Sequence, residues 1–104
     1  MSLLLLTAAA SSVSDQFQHD WQSCLIETSK LWATKPGPAD LIVDAATIHC
    51  REKLDLFMIT EIKDKKAMGL NEAQASEISA ILAGVLLNMN RGFAIEAVQK
   101  ARSK

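Results

Sequence analysis

The chain carries one strong breaker, Pro36-Gly37-Pro38, and its two cysteines, Cys24 and Cys50, lie 13 residues to either side of Gly37. If both flanking stretches are helices folded back antiparallel, each sulfur sits ~20 Å along its own arm, at a rise of ~1.5 Å per residue. Equal heights on neighbouring helices bring the sulfurs within bonding reach. The spacing therefore predicts a helical hairpin pinned by a Cys24–Cys50 disulfide, and with it an oxidising compartment. The competing reading is a pair of buried free thiols acting as small apolar residues in a cytosolic protein.

Periodicity supplies the arms. Val13, Phe17, Trp21, Cys24, Leu25, Leu31 and Trp32 recur at steps of three and four, the period of a helix with one apolar stripe. This predicts a first helix from Ser12 or Ser14 to Thr34, ending at Lys35 because a residue before proline is pushed out of helical backbone. Pro38 suits the first turn of a second helix, which should run to about Ala67. That helix is apolar on two sides. Val43, Ala46, Cys50, Leu54 and Phe57 mark the face expected against the first helix. Leu41, Ala45, Ile48, Leu56 and Ile59 mark the other, expected against a third helix or a second subunit.

Gly69 reads as a left-handed stop, and Asn71 with Gln74 as a capping box opening a third helix. Ala75, Ile78, Ile81, Leu82, Val85, Leu86 and Met89 give that helix a broad apolar face. Asn88-Met89-Asn90 is expected to break it. A short fourth helix then begins at Arg91, with Phe93, Ala94, Ala97, Val98 and Ala101 inward. The predicted fold class is all-α: an antiparallel helical hairpin plus one long and one short helix, a small bundle. Residues 12–104 read as one domain, and residues 1–11 either as a signal-peptide remnant or as an extension of the first helix. Leu3-Leu4-Leu5-Leu6 followed by Ala8-Ala9-Ala10 resembles the end of a secretory signal, although no basic residue precedes it. As a membrane span that run is too short, since about 20 apolar residues are needed.

The remaining residues argue against most chemistry. A net charge of −1 offers no footprint for nucleic acid. The run Lys63-Asp64-Lys65-Lys66 is short and interrupted by an acid. The helix–turn–helix look of residues 71–103 lacks basic side chains where a recognition helix needs them. Cys24, His49 and Cys50 make a poor metal set, because neighbours on a helix point ~100° apart. Acidic pairs such as Asp40/Asp44 read as solvated helix-surface charges rather than a general acid and base. No glycine-rich phosphate loop or nucleophile–base pair is present. No enzyme, cofactor, metal or nucleic-acid function is expected, and no membrane span.

Trp21 and Trp32 share the stripe of Cys24, eleven residues apart. Core packing at the hairpin seam is one role, and an exposed anchor for a partner is the other. Trp21, Trp32, Leu41, Ile48, Leu56 and Ile59 are accordingly the candidate partner-binding residues.

The pattern Trp21-x-x-Cys24, the proline corner and Ala45-Ala46-x-x-x-Cys50 resembles a loose class of small exported bacterial helical proteins, mostly without assigned function. The likeness covers about residues 17–56 and implies a disulfide and export, with no catalytic residue to carry over. The expectation is a non-catalytic, periplasmic or secreted helical module that binds a protein partner or itself. The alternative is a cytoplasmic helical adaptor or chaperone-like regulator with reduced cysteines.

Overall fold

The structure is a computed structural model that describes residues 2–104, with side chains described from residue 13. Four helices follow one another: α1 (Ser2–Trp32), α2 (Ala39–His49), α3 (Arg51–Ala67) and α4 (Glu72–Arg102). The fold is an all-α bundle, and no strand occurs among the described residues. The chain turns back after α1 through Gly37, whose φ of 118° is available to glycine without strain. Helices α2 and α3 descend as one bent rod. Gly69, at φ 103°, then reverses the chain again into α4. The Asn71 side chain accepts from the Gln74 backbone N–H at 2.9 Å, and Gln74 Oε1 accepts from the Asn71 N–H at 3.1 Å, completing the capping box.

Long-range bonds fix how the three rods stand. Ser14 on α1 donates to Glu61 on α3, and Arg91 on α4 donates to Asp44 on α2 at 3.1 Å. At the far end Arg102 donates Nε to the Ala33 carbonyl at 2.8 Å and Nη2 to the Lys35 carbonyl at 2.9 Å. The C-termini of α1 and α4 are therefore adjacent, and these two helices run parallel and in contact, with α2–α3 packed antiparallel against both. Arg102 caps the end of α1, where carbonyls lack helical partners. A planar fork reaching two carbonyls is something an ammonium cannot reproduce. Arg102→Ala should therefore cost about 1–2 kcal/mol in a thermal melt, with Arg102→Lys recovering little of it.

Two boundaries correct the sequence expectation. The second helix was expected to be continuous, but it breaks at Cys50, whose φ of −95° and ψ of 8° leave the helical region. The break follows Thr47-Ile48-His49, three weak helix formers. Thr47 Oγ1 also donates to the Val43 carbonyl at 2.8 Å, a back-bond that bends helices. Conversely, the predicted break at Asn88-Met89-Asn90 does not occur. Asn90 is buried and its amide donates to the Leu86 carbonyl one turn back at 2.8 Å, so its side chain is satisfied inside the helix. The long and short helices are one helix. At the other end of the chain, the backbone is helical from Ser2, so residues 2–11 continue α1.

The core runs along the seam. Trp21 and Leu25 from α1 meet Val43, Ala46, Cys50 and Phe57 from the bent rod, closed by Leu86, Ala94 and Val98 from α4. The bundle is long and thin, 49 × 32 × 18 Å, with a radius of gyration of 16.1 Å, against ~13 Å for a compact chain of this length. Its accessible surface is 6909 Å², where a compact monomer of this mass exposes about 5,700 Å². Among the described residues Leu31, Ile48, Met68 and Ile81 are large apolar side chains each more than 60 % exposed.

Candidate interaction surface

The disulfide forms between Cys24 and Cys50, with their Cα atoms 5.9 Å apart. Helix α1 brings Cys24 to the seam one turn beyond Trp21, and the bend of the second rod presents Cys50, which is almost wholly enclosed. Thr28 Oγ1 lies 3.7 Å from the Cys50 sulfur. The bond joins the two arms at mid-height, which fixes the register of the surfaces they carry.

The six candidate partner residues divide. Trp21 has no exposed surface and belongs to the core, so it offers nothing to a partner. Trp32 is half-buried, its ring edge-on to His49 at 5.3 Å with the Lys35 ammonium over it at 5.3 Å. That stack ties the hairpin corner together. Leu41, Ile48, Leu56 and Ile59 are all exposed, Ile48 most of all at 74 %. The face they mark does not meet α4, which corrects one of the two expected coverings. Helix α4 instead docks beside the Cys50 face, through Asp44 and the shared core.

Sequence reasoning misplaced the face of α4. Its buried line is Ala75, Ser79, Ala83, Leu86, Asn90, Ala94 and Val98, mostly small or polar residues. Its large apolar residues point outward, with Ile78, Ile81, Val85, Met89 and Phe93 between 43 % and 63 % exposed. From Ile78 to Asn90 the helix has no charged residue, so apolar side chains occupy every side and periodicity alone cannot choose the inward one. The signal that could have found it is the four-residue repeat of small residues, which lets a helix approach its neighbours closely.

Two shallower features complete the surface. Phe93, expected inward, instead lines an open groove with Ile26 and Ala97 between α1 and α4, rimmed by Lys30, Lys100 and Lys104. Lys30 and Lys100 are each within 3.6 Å of a glutamate, Glu27 and Glu96, so the rim is largely neutralised. At the opposite end Glu61 is buried between Ser14 and Lys65, whose ammonium is 2.9 Å away. Burial pushes the Glu61 carboxyl up, but the Ser14 hydroxyl and the hydrogen bond and charge of Lys65 outweigh it and hold it below its ordinary 4.5. A depressed carboxyl contributes stability that is complete above the unfolded value and is lost as pH falls through the folded one. Glu61→Gln should therefore flatten the acid limb of melting temperature against pH below 4.5, while wild type declines there.

Among the described residues no three His, Cys, Asp or Glu side chains gather as a metal-holding set. By length and hydropathy α4 is the one described helix that could cross a membrane, with 28 % of its most apolar stretch buried in the bundle. Comparison with protein-family models, with curated proteins and with solved structures gave no match.

Proposed function

We propose that the protein is a non-catalytic, exported helical module that binds a protein partner or itself through the apolar outer faces of its bundle. The observation that carries this reading is the inverted burial of α4, which encloses alanine and serine and presents isoleucine, valine and methionine outward. Apolar side chains contiguous over several turns mark an association surface on a soluble protein. The open Leu41–Ile48–Ile59 face of the bent rod adds a second. Export is supported by the Cys24–Cys50 bond, since such bonds persist in oxidising compartments and are reduced in the cytosol. The likeness to small exported helical proteins at Trp21, Cys24 and Cys50 points the same way.

The test is a photo-crosslinking residue placed at Ile48 or Ile81 in the cells that make the protein, with thiols trapped at lysis. A crosslinked protein adduct from at least one site, together with no free thiol, is the expected result. No adduct from either site overturns the interaction reading, and two free thiols overturn export.

A further inference from the structure

The outer face of α4 has a heptad order of its own. Gln74, Ile78, Ile81, Val85, Asn88 and Gly92 recur at alternating steps of three and four, the seam of a two-helix coiled coil, and all six are exposed. Beside this seam, Glu77, Gly84 and Arg91 fall seven residues apart, in the flanking position whose charges set partner choice and orientation. Gly84 and Gly92 sit inside a helix, and a methyl group added at either would touch nothing within 4 Å. Glycine in a helix interior is unfavourable, and nothing within this chain compensates for it. A second helix lying close over Gly84 would.

We infer that the occupant of this face is a second copy of the chain, docked antiparallel along α4 about a two-fold axis near Gly84. The inference rests on the interaction reading above and names its partner. Charge decides the orientation. In the antiparallel pair Glu77 of each copy meets Arg91 of the other, so two opposite-charge contacts close the ends of an uncharged seam. A parallel pair would set Glu77 beside the uncharged Leu82 and Arg91 beside Glu96 of the other copy, so Glu77 finds an opposite charge only in the antiparallel arrangement. Arg91 already donates Nε and Nη2 to Asp44 of its own chain at 3.1 and 3.5 Å, which leaves its remaining N–H groups for the partner. At the centre Val85 of one copy packs on Ile81 of the other, twice, and Asn88 pairs with Ile78 across the seam. A two-fold axis makes every such contact count double. Ile78, Ile81 and Val85, between 43 % and 63 % exposed, are the apolar side chains such a contact would cover.

A lipid bilayer is the other occupant this face would accept, and it fits less well. Glu77 and Arg91 bracket 13 uncharged residues, about 20 Å of helix against a hydrocarbon core of about 30 Å. Lipid also has no need of an exposed glycine row.

Sedimentation of the oxidised full chain up to about 200 µM should show a monomer–dimer equilibrium. Gly84→Gln should weaken the dimer by about tenfold or more, while the monomer melts no lower than wild type. Glu77→Arg should weaken it several-fold, and Glu77→Gln, which removes the charge without reversing it, should weaken it less. A wild-type monomer throughout, a Gly84→Gln dimer of undiminished affinity, or a dimer tightened by Glu77→Arg each overturns the proposal. So does a monomer that partitions onto phosphatidylcholine–phosphatidylglycerol vesicles through Ile81, which assigns the face to lipid. Crosslinking from Ile81 separates the two readings. An adduct of twice the chain mass supports both. An adduct with a different protein overturns the second copy and leaves the interaction reading standing, whereas no adduct from Ile48 or Ile81 ends both.

Discussion

Removing the bond between Cys24 and Cys50 should lower the stability of this bundle by about 3.5 kcal/mol, the loop entropy released when a crosslink spanning 26 residues is opened. In a chain of this size that is a fall in melting temperature of roughly 15–25 °C. The effect acts through the unfolded ensemble, which the bond holds compact. The urea slope should therefore steepen on reduction, as the freed chain exposes more surface when it unfolds. Alanine is the right replacement at both positions, because Cys50 is 1 % exposed and a serine there would bury a new hydroxyl. Cys24→Ala, Cys50→Ala and the double variant should all melt together, since each deletes the same bond and the effects cannot add. Urea melts of the oxidised and reduced protein are the measurement. Superimposed curves would mean that the hairpin holds its register without the sulfurs.

The disulfide was legible before the fold because two independent devices agree on it. The proline corner fixes where the arms begin, and the helical rise turns sequence distance into height. The bend at Cys50 was less legible, since no proline or glycine marks it. It depends on the Thr47 hydroxyl turning back on the Val43 carbonyl, a choice that threonine makes only in context. The continuity of α4 past Asn88 and Asn90 failed for a related reason. Asparagine competes with helical backbone when its amide is free to do so, and burial gave the Asn90 amide a partner within the helix. Arg102 shows a third limit. Its charge at a helix end was readable, but the end it caps belongs to α1, 67 residues away at Lys35, and no local pattern encodes that.

Inverted burial on α4 was the costliest misreading, and it bears directly on the surface. Large apolar residues are usually assigned inward, yet here the seam with the other rods is narrow and takes Ala75, Ser79 and Ala83. Close approach of the backbones replaces bulk as the source of packing. The Ser29 and Ser79 hydroxyls are fully enclosed with no hydrogen-bond partner among the described residues, and a core built on such residues contributes less than one of leucine. Stability is therefore concentrated in a few large side chains near the disulfide.

Trp21 is the largest of them, and Trp21→Ala should cost about 3–5 kcal/mol, the range for emptying a fully buried aromatic site. The indole has no exposed surface, and its Nε1–H finds no acceptor among the described residues. Trp21→Phe therefore deletes an unpaired donor along with part of the ring. It should recover most of the loss, leaving a deficit of about 1 kcal/mol from the smaller cavity. Trp32 provides the contrast, since its ring is half-exposed and held by His49 and Lys35 at the corner. Trp32→Ala should cost no more than about 1–2 kcal/mol. Equal losses at Trp21 and Trp32 would show that the corner, rather than the mid-height seam, organises the hairpin. Trp21 stands three residues before Cys24 on the same face of α1, so the two losses should couple. With the disulfide intact, Trp21→Ala should still unfold cooperatively. Once the bond is reduced, the combined loss of roughly 7 kcal/mol lies within the whole stability of an ordinary domain, and the variant should show no folded baseline by circular dichroism at 25 °C. A folded, cooperative transition in that reduced variant would place the weight of the fold elsewhere than the Trp21–Cys24–Cys50 seam.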